Sequence, residues 1–446
     1  MACFAVIAPP FTSHIRALEA VAAELIARGH RVVWLQQPDV QALLREPRIE
    51  FVAVGQQSFP AGSLARIVAH AAHPGGPLGL RRVIRDMTRQ TTMLCQEALP
   101  LLREHGVDVV IADQMEAAGG LVAAALRLPW VSVACALPIN REPALPLPVM
   151  PWGPARADDA AALQRNVVST RIYDWLMGPH DRAIADQAAA MGLSGRTTLI
   201  DCLSPCLQVS QTIEAFDFPR RAAPAALHPV GPLRLPLVAE SALELNPVDD
   251  ARPLVFASLG TLQGGRFGLF KRIAKACRAL DVQLLLAHCG GLDAAQSGAL
   301  VRLGARWVTD FAPQRAALGR ADVVITHAGL NTVLDALVAG TPMLLLPIAF
   351  DQAGVAARVL HAQAGLRLLP ALASTRAITR ALRRLLDEPT FAAQAEALGQ
   401  QVPAGDAGTR RAADLIEAMA RTAPGGPDEC VAQVTAGVSV DAATHG

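Results

Sequence analysis

The chain has 446 residues, 40 Lys plus Arg against 39 Asp plus Glu for a net charge of +1, and 52% apolar side chains. Domains run to about 100–200 residues, so roughly two to three are expected, with a core large enough to stand without disulfides or a structural metal. The balanced charge excludes the basic surface a nucleic-acid binder needs, and although mean hydropathy is positive at +0.31, no uninterrupted apolar stretch approaches the about 20 residues of a membrane-spanning helix.

The first residues, MACFAVIA, carry no basic stretch, so no targeting peptide is expected. Phe4–Ala8 is a continuous apolar run, the mark of a strand buried on both faces. Ser13 or Thr12 is placed to cap a helix from about His14 to Ala27, Gly29 to end it, and Arg31–Leu35 to form the next strand. This is a βαβ unit and implies parallel pairing. The rhythm continues with a strand at Val107–Ala112, a helix at Ala117–Leu126 and a strand at Trp130–Cys135.

Between Pro138 and Pro154 six prolines exclude regular helix or central strand. The apolar content of this loop (Leu145, Leu147, Val149, Met150, Trp152) suggests an acceptor groove or a membrane-docking surface. A second irregular stretch over 216–252 reads as a linker. From Pro253 the βα rhythm restarts, with strands at Leu254–Ser258, Gln283–His288, Arg306–Thr309, Val323–Thr326 and Met343–Pro347. Helices are expected at Phe267–Leu280, Gln314–Leu318, Leu330–Val338, Asp351–Leu360, Thr375–Leu386 and Gly408–Ala420. The eight cysteines show no CxxC and no regular spacing, and are read as small buried hydrophobes.

No dinucleotide fingerprint, P-loop, HExxH or nucleophile elbow occurs. The chemistry concentrates in FAPQRAALGRADVVITHAGLNTVLDALVAGTPMLLLPIAFDQ, from Phe311 to Gln352. There a strand ends in His327-Ala-Gly329 and a helix begins. Free N–H groups, the positive end of the helix dipole, a His able to add charge, and Asn331 and Thr332 as further donors make an anion site. Asp335, two turns on, is placed to accept from ribose hydroxyls. Asp351 and Gln352 follow a strand end, where open α/β sheets bind ligands, and suit sugar hydroxyls. Phe311 offers a flat face to a base.

This segment resembles the nucleotide-sugar signature of family 1 glycosyltransferases of the two-domain GT-B type. The matched elements are Pro313-Gln314, H-x-G-x-N-T-x-x-D over 327–335, G-T-P over 340–342 and P-x-x-x-D-Q over 347–352. Phe311 stands where many relatives have Trp, Asp335 is a shortened Glu, and Thr332 replaces Ser. The likeness covers roughly residues 3–420 and is strongest to the carotenoid-glucosylating members of the family.

The resemblance implies an α/β GT-B fold of two Rossmann-like, doubly wound parallel-sheet domains facing across a cleft. It divides the chain into an acceptor domain (1–228), a linker (229–252), a nucleotide-sugar domain (253–407), a closing helix crossing back (408–422) and a disordered tail (423–446). It assigns His14 as catalytic base with Asp113 orienting it. The donor would be held by Ser258, Gly260 and Thr261 in the turn SLGT, and by Phe311, Ala312, Gln314, His327, Gly329, Asn331, Thr332, Asp335, Asp351 and Gln352. The implied activity is inverting transfer of glucose from UDP-glucose to a hydroxyl of zeaxanthin, with no metal and no other cofactor. The expected setting is cytoplasmic, with peripheral contact at the inner face of a membrane. Other lipophilic acceptors (a macrolide or sterol), a non-catalytic nucleotide-sugar or carotenoid binder, and a nucleotide-sugar epimerase are the competing readings.

Overall fold

A computed structural model describes residues 1–235 and 249–422. The linker expected at 229–252 lies mostly outside the described residues, and the tail expected at 423–446 wholly outside them. Strands of three to six residues alternate with helices and build two all-parallel sheets, whose central strands are apolar and buried on both faces. The first comprises β1 (Cys3–Ile7), β2 (Arg31–Gln36), β3 (Glu50–Ala53), β4 (Val109–Asp113), β5 (Trp130–Ala134), β6 (Leu207–Ser210) and β7 (Leu227–Pro229), in the order β3-β2-β1-β4-β5-β6-β7. The second comprises β8 (Leu254–Ser258), β9 (Gln283–Ala287), β10 (Trp307–Thr309), β11 (Val323–Thr326), β12 (Met343–Leu345) and β13 (Gly365–Arg367), in the order β10-β9-β8-β11-β12-β13.

Both orders reverse at one point, between β1 and β4 in the first sheet and between β8 and β11 in the second. Ligands bind at such switch points, outside the carboxyl ends of the strands. The registers Ile7↔Ala112 and Thr326↔Ser258 bring the paired strand ends level. His14 and Asp113 therefore lie at the first switch point, and Ser258–Thr261 and His327–Gly329 at the second.

The two halves share packing. Leu137, Ile213 and Phe216 of the first half are buried in the same cluster as Phe256, Val324 and Leu345 of the second. The stretch from 216 is thus partly a strut rather than a linker, and Leu227–Pro229 adds a seventh strand. The last described helix, Ala407–Thr422, returns to the first half. Ala412, Ala413 and Ile416 enter its core beside Phe4 and Leu18, and Arg28 and His30 bond to Glu417 at 2.9 and 2.8 Å.

Residues 138–154 form neither helix nor strand, as the prolines require. Of the loop's apolar residues Leu145 and Leu147 are buried, Leu145 clustering with Phe218 and Ala357 between the halves, while Val149, Met150 and Trp152 are half-buried. The helix Thr12–Ala27 begins two residues earlier than expected, with Phe11 as N-cap and no side-chain cap, so neither Thr12 nor Ser13 has the predicted role. Among the described residues six cysteines are free, and five of them are buried.

Candidate active site

The turn after β1 leads directly into the helix Thr12–Ala27, which sets His14 in its first turn. Asp113 is the last residue of β4 and is buried. His14 Nδ1 and Asp113 Oδ2 lie 2.7 Å apart, while Asp113 Oδ1 accepts the Met115 N–H at 2.8 Å. The next helix, Ala117–Leu126, is capped by Glu116, so capping is not what occupies Asp113. The His14 side chain keeps 16% exposure. Burial resists charge on its ring, but the charge and hydrogen bond of Asp113, with the charge of Asp351, lift its pKa above the ordinary histidine value.

Cys135 completes a group whose ligand atoms lie within 4.8 Å of one another. Burial, aided by the Asp113 charge, pushes its thiol well above the usual range. A protonated thiol and a histidine nitrogen already bonded to carboxylate suit an oriented base better than a metal centre.

Asp351 belongs to the second half yet faces this pair. Its carboxylate accepts the Leu137 N–H at 3.3 Å, and burial raises its pKa, with that bond and His14 pulling the other way. Neighbouring Gln352 accepts from the Ile348 and Ala349 N–H groups through Oε1, both at 2.8 Å. Its amide nitrogen is the end left to meet a hydroxyl. The predicted sugar pair thus stands across the cleft from the predicted base.

At the second switch point the turn after β8 and the turn after β11 interlock around His327. Gly260 has φ +72°, and a Cβ there would sit 2.6 Å from His327 Cε1. A Cβ on Gly329 would come equally close to His327 Nε2. Both positions need glycine, which lets the backbone approach the imidazole. Ala328 between them also has positive φ, +68°. The helix Leu330–Val338 then starts with no side-chain cap, leaving its first N–H groups free for an anion. Burial pushes His327 down to about 4. That shift favours the neutral ring over the added charge expected of it, and a neutral ring still offers a hydrogen bond. Ser258 is buried, with its hydroxyl oxygen accepting from Gly260 N–H at 3.4 Å, and Thr261 follows in the short helix Gly260–Gln263.

Of the two donors expected at that helix end, the Thr332 hydroxyl is engaged, while Asn331 is held through its oxygen and not through its amide nitrogen. The Thr332 hydroxyl donates to Gln314 Oε1 at 3.2 Å, and Asn331 Oδ1 accepts from Arg234 at 3.4 Å. Asp335 is the hub: Gln314 Nε2 donates to its Oδ2 at 2.7 Å, and Arg234 Nη2 and Nε to its Oδ1 at 3.0 and 3.2 Å. Arg234 is the participant the sequence did not reveal. It lies 97 and 101 residues before its partners, in a stretch read as linker. Its backbone is clamped by Thr409 of the closing helix, whose hydroxyl accepts from Arg234 N and donates to Arg234 O. Ala312 is half-buried beside the helix Gln314–Arg320, and Phe311 is 67% exposed, a free aromatic face beside this network.

The chain matches the UDP-glucoronosyl and UDP-glucosyl transferase family over residues 5–400. It is 49% identical to a zeaxanthin glucosyltransferase of Pantoea ananas, across 94% of this chain and 96% of that protein. It is 44% identical to a zeaxanthin glucosyltransferase of Pseudescherichia vulneris, across 94% and 98%. The solved glycosyltransferase of kitacinnamycin superposes with a TM-score of 0.72 at 22% identity, over 94% of this chain and 98% of that one, and the fold is GT-B.

Proposed function

The chain belongs to the UDP-glucoronosyl and UDP-glucosyl transferase family, and we propose that it moves glucose from UDP-glucose to a hydroxyl of zeaxanthin, with inversion at the anomeric carbon. That it is a UDP-glycosyltransferase follows from the family and the relatives. The acceptor rests on the names of two relatives alike in length and 49% and 44% identical.

One observation carries the mechanism: the 2.7 Å contact of His14 with Asp113 at the first switch point, facing Asp351 of the other half. With Nδ1–H donating to Asp113, the Nε2 lone pair is free to take the acceptor hydroxyl's proton. The acceptor oxygen then attacks the anomeric carbon from the side opposite UDP. Asp351 and the Gln352 amide hold the sugar. As the bond to UDP breaks, negative charge grows on the diphosphate. It is met by the uncapped N–H groups of Leu330–Val338, the Ser258–Thr261 turn and the neutral His327. Asp335, fixed by Arg234 and Gln314, takes the ribose diol, and Phe311 stacks on the base. The scheme calls on no metal. It carries with it a cytoplasmic enzyme working against the inner face of the membrane, where so apolar an acceptor resides.

Incubation with UDP-glucose and detergent-dispersed zeaxanthin, read by mass spectrometry, is the test. Hexose adducts of zeaxanthin are expected. Transfer to a macrolide or sterol but not to zeaxanthin would refute the acceptor, and UDP-glucose consumption without adduct would refute transfer.

A further inference from the structure

The long helix Ala160–Ala190 presents an apolar stripe to solvent that nothing among the described residues covers. Val168 is 43% exposed, Ile172 54% and Trp175 78%. Their spacing of i, i+4 and i+7 puts them on one side of the helix. The opposite side, with Asn166, Ser169, Met177, His180 and Ile184, is buried against the first half. Arg165, Arg171 and Arg182 are exposed and flank the stripe. Among nearby acids, Asp174 is ion-paired with Arg141 at 2.5 Å, Asp181 is half-buried and Asp186 exposed.

Exposed tryptophan and isoleucine bordered by arginines describe a helix that lies in a membrane interface, its apolar side in the acyl boundary and its cations on anionic headgroups. Resting on the lipophilic-acceptor reading above, we propose that the Val168–Ile172–Trp175 face docks the enzyme on an anionic lipid bilayer. Charge complementarity selects that occupant: three arginines border the apolar strip, and the nearest carboxylate, Asp174, is already paired.

The position of the helix gives docking a route to the chemistry. Asn166 Nδ2 donates to the Pro143 carbonyl at 3.2 Å, and Trp152 Nε1 donates to Asn166 Oδ1 at 3.0 Å. Arg141 also reaches Asp174. The proline-rich loop is therefore fastened to the docking helix. The segment entering it contains Leu137, bonded to Asp351 opposite His14.

The test is co-sedimentation of the full chain with neutral phosphatidylcholine vesicles and with vesicles containing phosphatidylglycerol, with and without high salt. Salt-sensitive binding to the anionic vesicles is expected. The variant Ile172→Ser/Trp175→Ser is expected to lose binding by about tenfold or more, and Arg171→Gln/Arg182→Gln to lose its salt-sensitive part. Both are expected to transfer glucose to detergent-dispersed zeaxanthin at the parent rate, which separates a failure of docking from a failure of the proposed activity. Absence of vesicle binding, or equal binding by parent and variants, overturns the proposal. So does loss of the detergent activity in Ile172→Ser/Trp175→Ser, which would make the stripe part of the acceptor groove. A parent dimer that becomes monomeric in that variant would assign the face to a second copy and likewise overturn it.

Discussion

A histidine becomes a useful base when its free nitrogen is neutral near working pH and strongly basic when the proton arrives. Burial alone would drive the His14 ring neutral but weakly basic. Asp113 and Asp351 reverse the net effect and leave the pKa raised. Because the neutral ring accepts the proton, kcat/KM should rise with pH through the raised His14 pKa. Asp113→Asn removes the two largest raising influences, so the acidic limb should move to lower pH while kcat falls. A limb that stays in place would mean another group sets it. His14→Ala should cut kcat by about 10²–10⁴-fold with UDP affinity by calorimetry nearly unchanged. Arg234→Ala should raise the KM for UDP-glucose about tenfold, the scale of a charge-assisted bond, with kcat changed less and with partial rescue by Arg234→Lys. Equal losses in kcat and KM would argue against that positioning role. His14, Asp113 and the residues from Phe311 to Gln352 were legible because each side chain lies in a short motif at a strand end. Arg234 was not, because its role depends on a meeting in space with Asn331 and Asp335 that no local pattern encodes.

Elements were legible where burial on both faces makes the apolar run continuous. β8 and β11, and the helices Ala117–Leu126 and Leu330–Val338, fall on the expected residues. The helices Gly76–Glu104 and Ala160–Ala190 were missed. Each carries an internal proline, Pro100 and Pro179, and a proline inside a helix normally ends or kinks it. β3 and β7 are sheet edges of four and three residues with little apolar signal. The turns that matter most depend on residues with no side chain to read. Gly260→Ala sets a Cβ 2.6 Å from the His327 ring at a φ of +72°. Strain and overlap of this kind cost about 1–3 kcal/mol. The expected outcome is a lowered melting temperature together with a raised donor KM, since the displaced imidazole lines the donor turn. Unchanged melting and KM would mean the two turns move apart freely.

At the scale of the molecule, catalysis requires the base on one half and the sugar-holding carboxylate on the other to keep their distance. A buried charge network spans that seam. Arg358 donates from Nε and Nη2 to Asp217 Oδ1, both at 2.7 Å, and its guanidinium lies 4.3 Å from the Phe218 ring centroid. Arg220 reaches Asp217 Oδ2 at 2.9 Å. Arg358 is on the helix Gln352–His361, directly after Asp351, so the network fixes the helix that presents the sugar-binding pair. Burial would raise the Asp217 pKa, but Arg358 and Arg220 outweigh it and hold the carboxyl below its usual range. A depressed carboxyl contributes stability that is present above its unfolded pKa, near 4, and lost as pH falls through the lower folded value. Asp217→Ala should therefore cost about 3–5 kcal/mol at neutral pH, because Arg358 is left buried with its charge uncompensated. The difference from the parent should shrink as pH falls below about 4. Asp217→Leu combined with Arg358→Met removes both charges and should cost less than Asp217→Ala alone. Thermal unfolding across pH reads these outcomes, and a double variant worse than the single would mean that packing, not charge, joins the halves.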